Sequence, residues 1–218
     1  MLTSRLSLAL LTVVAASAAV PTNAEAPQAT MSFFLTSVGM GDGAKLGGLD
    51  GADKHCSTLA EAADVRGKTW HAYLTQQALD GKSAVNARDR IGKGPWMNAK
   101  GVVVATSVAD LHSDNNKLSK ENSMTEKGAL VNGRGDTPNE HDILTGAQLD
   151  GTVSSDTTDT TCHNWTSNGT GAALVGHHDR QGGGANPTSW STAHPSRGCS
   201  QDNLKASGGA GLFYCFAI

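Results

Sequence analysis

The densest run of reactive side chains in the chain is Gly176-His177-His178-Asp179-Arg180, with His163, Trp190 and His194 close to it in sequence. Two imidazoles and a carboxylate form a zinc-ligand set. Neighbouring residues on a strand point to opposite faces, however, so His177 and His178 would rarely reach one ion. The first expectation is therefore a polar network that fastens the glycine-rich loop Gln181 to Asn186, with Asp179 and Arg180 paired or hydrogen-bonded. A ligand-binding surface ranks second and a metal site third. The ligand-contacting set for such a surface is His177, His178, Asp179, Arg180, Trp190, His194, Asn139 and Glu140. Trp190 with His194 would offer an aromatic face for sugar C–H groups, although a core role for the tryptophan is the stronger expectation.

Asp136, Asn139, Glu140 and Asp142 supply hard oxygens, and Asp150, Asp156 and Asp159 supply more. Calcium takes six to eight such ligands. No full calcium-loop pattern is present, so solvated loop acids are the default, no metal or other cofactor is expected, and calcium is the one ion kept open. Arg134-Gly135-Asp136 matches a tripeptide read by integrins, but three residues recur by chance. Asn164-Trp-Thr and Asn168-Gly-Thr fit the glycosylation acceptor pattern. Neither a Gly-x-Ser-x-Gly elbow nor His-Glu-x-x-His occurs, and scattered Ser, His and Asp are not a triad without geometry. The chain is not expected to be an enzyme. The rival to that view is a zinc hydrolase using His177, Asp179 and His194.

The elements that must position these residues start after an export signal. Arg5 precedes an apolar run from Leu6 to Val20, with small-residue sites for cleavage before residue 25. This predicts a signal over 1–24, a tether over 25–30 and one domain over 31–218. The apolar run is short for a membrane span and no other approaches one. Net charge is −3, so a broad basic surface for nucleic acid is not expected. In an exported chain Cys56, Cys162, Cys199 and Cys215 read as two disulfides, with three pairings open.

Met31 to Ser37 predicts a strand, and Ala52, Cys56, Leu59, Ala60 and Ala63 form one face of a helix that Asp50 could cap, with Asp53 adding charge to its first turn. Trp70, Ala72 and Leu74 alternate with His71, Tyr73 and Thr75 as a half-buried strand. Ala84 to Ile91 predicts a short helix, Gly94-Pro95-Trp96 a turn, and Val108 to Leu111 one helical turn. Residues 112–140 form a long polar excursion, either functional or partly mobile. Asn168-Gly169 between Cys162–Ser167 and Thr170–Val175 signals a hairpin. Gly211 to Ile218 is an apolar strand. Phe33, Phe34, Phe213, Tyr214 and Phe216 put half of the aromatics in the two terminal strands, which suggests that the ends meet.

Several of these segments resemble the endostatin-like branch of the C-type-lectin-like fold. They are Gly51-Ala52-Asp53-x-x-Cys56, Trp70-x-Ala72-Tyr73-Leu74-Thr75, Asp142-Ile143-Leu144-Thr145-Gly146, Cys162-x-x-Trp165-Thr166-Ser167, Thr170-Gly171-x-Ala173 and Leu212-Phe213-Tyr214-Cys215. They run in order over 33–218, with no counterpart for 112–140. The resemblance implies an α+β fold of mixed antiparallel sheets with one or two helices and long loops. It implies antiparallel terminal strands beside a helix, and nested disulfides Cys56–Cys215 and Cys162–Cys199. It also implies a secreted or periplasmic scaffold that binds an extracellular glycan or protein through its loops. Calcium-dependent lectins carry Glu-Pro-Asn or Gln-Pro-Asp and Trp-Asn-Asp, where this chain has Thr137-Pro138-Asn139 and Trp165-Thr166-Ser167. A structural component of an envelope or matrix is a further alternative.

Overall fold

The computed structural model describes residues 30–218, so the expected signal over 1–24 and residues 25–29 of the tether lie outside the described residues. The architecture is α+β. Its axis is the last strand, β8 (Gly209–Ala217), nine residues long. On β8 the C-terminal half pairs antiparallel with both β1 (Phe33–Leu35) and β2 (Trp70–Ala72), while the N-terminal half pairs in parallel with β5 (Asp142–Leu144). From β5 the sheet continues through β6 (Leu174–His177) to β7 (His194–Pro195), and β3 (Trp96–Met97) with β4 (Val103–Ala105) forms a separate ribbon. The chain's two terminal strands do lie side by side.

Both faces of β8 are buried, which is why it is apolar at every position rather than alternating. Phe213 and Cys215 join Phe34, Trp70, Trp165 and the buried face of α1 (Gly48–Ala62) in one core cluster. Leu212, Tyr214 and Phe216 join Phe33, Leu35, Tyr73, Trp96 and Trp190 in a second cluster across the sheet. The pleat sends successive residues to opposite sides, so each terminal strand feeds both cores. Cys56 on α1 is bonded to Cys215, and Cys162 to Cys199, with no free cysteine among the described residues.

Several local expectations are corrected. The first strand is limited to Phe33–Leu35, because at the next register position Phe213 N donates to the Thr36 hydroxyl and Ser37 turns to the buried Glu126 carboxylate. α1 starts two residues before Asp50, on a left-handed Gly47 without a side-chain cap. Asp53 is drawn away from the helix terminus, accepting from Ala72 N at 2.8 Å and Arg90 Nη2 at 2.6 Å, which ties α1 to β2. Alternation fails after Ala72, since Tyr73 and Thr75 are buried as well. Of the helix expected over 84–91 only a 3₁₀ turn, Ala87–Asp89, forms, because Val85 bridges Gln76. α2 (Val108–Leu111) forms as expected, capped by Ser107.

Residues 162–165 depart furthest. Cys162, His163, Asn164 and Trp165 have φ of 48°, 56°, 54° and 63°, a left-handed turn (α3, Cys162–Trp165) in place of a hairpin strand. Such backbone costs about 1–2 kcal/mol per residue. Opposing that cost, Trp165 is fully buried and its Nε1 donates to Thr75 O at 2.6 Å. Asn164 accepts from Gln77 N at 2.7 Å and donates to Gln77 O at 3.0 Å. After α3, residues 166–172 loop back to the bridge between Thr161 and Ala173, so Asn168-Gly169 does not join paired strands. α4 (Gln201–Ser207), capped by Ser200, leads into β8.

The excursion over 112–140 has no helix or strand beyond one bridge at Thr125, yet it is not a free loop. Leu118, Met124 and Val131 are buried, and Asn, Ser and Thr side chains hold its turns from within. Among the described residues no helix is long and apolar enough to cross a membrane.

Candidate functional site

Strand register assembles the site. Asp142 at the start of β5 is paired with His177 at the end of β6, and His194 on β7 is paired with Val175. Val175 and His177 share one face, so His194 is the diagonal neighbour of His177 on that face. The same parity sends His178 away: its Nε2 meets Asn132 O at 3.1 Å. The prediction that His177 and His178 diverge holds, but another histidine takes the vacant position. His141, one residue before β5, stacks on His177 with ring centroids 4.2 Å apart and planes 7° from parallel.

The result is three imidazoles around one carboxylate. From Asp142 Oδ1, His141 Nε2 is 3.2 Å away, His177 Nε2 3.3 Å and His194 Nε2 3.5 Å. His177 Nε2 and His194 Nε2 are 3.1 Å apart. The Asp142 side chain is 1% exposed, and at these distances neither of its oxygens has a hydrogen bond of acceptable geometry. Burial pushes the Asp142 carboxyl up, but the close approach of His177 and His194, and the charges of His194 and His141, outweigh it and hold it below its ordinary value. Contact with Asp142 raises His194 despite partial burial.

Each ring is also held from behind. His141 Nδ1 faces Asp179 Oδ1 at 3.3 Å, His177 Nδ1 faces Pro187 O at 2.8 Å, and His194 Nδ1 faces Pro195 O at 3.0 Å. Asp179 is fixed in turn by Arg134 N at 2.6 Å and Gln181 N at 3.1 Å. Burial works against its ionised form, yet His141 and these two amides win and hold the carboxyl far below its usual range. The loop after β6 lies directly on the cluster: a Cβ at Gly182 would come within 2.2 Å of His177 Cε1, so only glycine fits there.

Beside this cluster a cleft of about 410 Å³ is lined by His112, Asn116, Arg180, Asn186, Ser189 and Trp190, among others. Arg180 Nη1 donates to Asn116 Oδ1 at 3.1 Å, bridging the 112–116 wall to the 180–191 wall. Trp190 is no stacking platform. Tyr73, His112 and Tyr214 pack against its ring at 4.7–5.7 Å, and its Nε1 donates to Leu111 O. Trp190 lies in the loop before β7, and its large ring is buried with its N–H matched to a carbonyl, as buried tryptophans require.

The remaining sequence candidates scatter. Asp179 supports the cluster through His141 rather than joining its centre. Asn139 Oδ1 accepts from His141 N at 3.4 Å, and Glu140 lines a separate groove with Ser37 and Lys205. The acidic residues do not converge: the one group of three or more His, Cys, Asp or Glu ligands among the described residues is His141, Asp142 and His177. Asp136 is committed to Lys120 and Gly133 N, which leaves Arg134-Gly135-Asp136 without a free carboxylate. Asn164 is buried in the α3 network, whereas Asn168 is exposed and donates to Asp42 Oδ1. His163, exposed, pairs with Asp80 at 2.8 Å.

His141 is the residue that sequence reasoning missed. The available signal was a second His-Asp dipeptide: His141-Asp142 opens β5 and His178-Asp179 follows the antiparallel β6, so that His141 of one meets Asp179 of the other. No protein-family model and no curated protein matches this chain.

Proposed function

We propose that this chain is an exported binding domain of C-type-lectin-like architecture that takes an extracellular glycan in the cleft between residues 112–116 and 180–191. The observation that carries the reading is the cleft itself: the Arg180 guanidinium, held by Asn116, lines one concavity with the Asn186 carboxamide and the Ser189 hydroxyl. Carboxamides, hydroxyls and a fixed guanidinium match the donor and acceptor pattern of sugar hydroxyls. The α+β order, the paired terminal strands beside α1 and the nested disulfides support the architecture. A scaffold held by its ends frees the opposite loops for recognition.

A glycan array, run in parallel with a pull-down from extracellular extracts and with and without calcium, tests this. Binding by the native protein is expected to fall about ten- to a hundredfold in Arg180→Ala, the loss of one charged hydrogen-bonding group. Silence of the native protein on the array would overturn the glycan reading. Capture of a protein partner alone, still sensitive to Arg180→Ala, would reassign the cleft to protein recognition.

A further inference from the structure

The His/Asp cluster beneath the cleft wall encloses a carboxylate that is buried without a hydrogen bond of acceptable geometry. All three Nδ1 atoms face groups that can only accept: a carboxylate and two carbonyls. Each must therefore carry its proton on Nδ1, and in the neutral ring that leaves the Nε2 lone pair pointing at Asp142. With the rings neutral, three imidazole lone pairs converge on the buried carboxylate. A charged ring would turn one Nε2–H toward Asp142, but His177 Nε2 and His194 Nε2 are too close for both to hold hydrogens, so at least one lone pair still faces the cluster. The two Asp142 oxygens, buried without a hydrogen bond, show the same deficit from the carboxylate side.

We propose that His141, Asp142 and His177 bind one zinc ion, with the His194 ring alongside, and that the ion pins the 181–190 loop to the sheet. Ligands at roughly 2.0–2.1 Å from a tetrahedral zinc stand about 3.3–3.4 Å from one another. The spacings of 3.2 and 3.3 Å from Asp142 Oδ1 to His141 and His177 approach those edges, and the ligand atoms of all three residues lie within 4.8 Å of one another. The chemistry selects the metal: an imidazole-rich set suits zinc, whereas calcium and magnesium demand oxygen. Charge closes as well, since a divalent ion balances the carboxylates of Asp142 and Asp179. Outward Nδ1–H bonds to a carboxylate and to carbonyls are the outer shell that orients zinc-bound histidines. His194, a quarter exposed, leaves a path for the ion. The pinning follows because His177 holds Pro187 O through Nδ1 and Ser189 O through its backbone N–H.

The inference stands apart from glycan binding, because it is read on the protein alone. The full chain, exported and oxidised, is stripped with chelator and titrated with Zn²⁺, Ca²⁺ and Co²⁺. Expected are one zinc per chain, no competition from calcium, and the intense visible absorption of tetrahedral cobalt. His177→Ala should weaken zinc by more than about a hundredfold and Asp179→Asn by about ten- to a hundredfold, while His163→Ala leaves it unchanged. Chelation should speed proteolytic cleavage within 181–189 at least tenfold. A native protein that takes up no zinc, or gives no tetrahedral cobalt spectrum, overturns the proposal, and this test does not depend on any variant folding. Unchanged zinc affinity in His177→Ala overturns the ligand assignment, and unchanged proteolysis overturns the pinning.

Discussion

The two halves of the sheet share β8 but are held by opposite chemistries. Around its C-terminal half, β1, β2 and α1 contribute Phe33, Phe34, Trp70 and Cys56, which meet Phe216 and the bonded Cys215 of β8, all buried. Around its N-terminal half, β5, β6 and β7 contribute Asp142, His177 and His194, with the Thr161, Asn164 and Gln77 network alongside. Apolar contacts are undirected, so the first half tolerates imprecise geometry. Polar contacts under the second half must each be satisfied, because an orphaned buried group costs about 1–3 kcal/mol. The difference separates scaffold from site: non-directional packing secures the fold, and directional networks fix where a few side chains point.

Breaking the first half should cost most. Replacing Cys56 and Cys215 by alanine removes a link across 159 residues, and removing Cys162–Cys199 frees one across 37. Loop-closure entropy gives upper figures of about 5 and about 4 kcal/mol. Denaturant unfolding of the two double variants should rank them in that order. The reverse order would mean that the polar half depends on its staple more than the apolar half does.

Next comes the network that supports α3. Asn164→Ala strands both Gln77 N–H and Gln77 C=O and places a less tolerant residue at φ 54°. The expected loss is about 2–4 kcal/mol by the same unfolding measurement. Asn164→Asp keeps the acceptor for Gln77 N and should recover part of that loss. Equal losses in the two variants would show that the donor to Gln77 O, which both variants lack, sets the cost rather than the acceptor or the backbone.

How far each half could be read in advance follows the same division. The apolar run Leu212–Phe216 and the clustered aromatics made the meeting of the chain ends legible, because burial leaves its pattern in residue type. The helical face through Cys56 was legible for the same reason. The α3 turn was not: Asn168-Gly169 carries a strong local turn signal, but Trp165 and Asn164 are recruited by Thr75 and Gln77, far away in sequence. His177 and His194 were singled out as chemistry-bearing residues, and the pleat correctly separated His177 from His178. The identity of the carboxylate they face depended on the register of β5 against β6, which a lone His-Asp dipeptide does not disclose.

The seam between the halves offers the smallest and most selective test. His112 lines the cleft, yet its ring packs against both Tyr73 and Trp190, with Nε2 at 2.7 Å from the Tyr73 hydroxyl and Nδ1 at 2.7 Å from Val108 O. Burial lowers its pKa from the ordinary 6.5, outweighing the carbonyl of Val108 and the opposed charges of Arg88 and Asp150. Below pH 6.5 the unfolded chain therefore takes up a proton that the folded chain resists. The stability from neutral His112 is complete above that pH and is lost as pH falls toward the depressed folded value. Native protein should lose stability between pH 7 and 5 more steeply than His112→Gln, by no more than about 1.4 kcal/mol per pH unit, the limit for one proton. Contributions from every other group are common to both proteins and cancel in the difference. Parallel slopes would place His112 with the wet cleft instead of the aromatic core, and would move the boundary between scaffold and site inward by one layer of side chains.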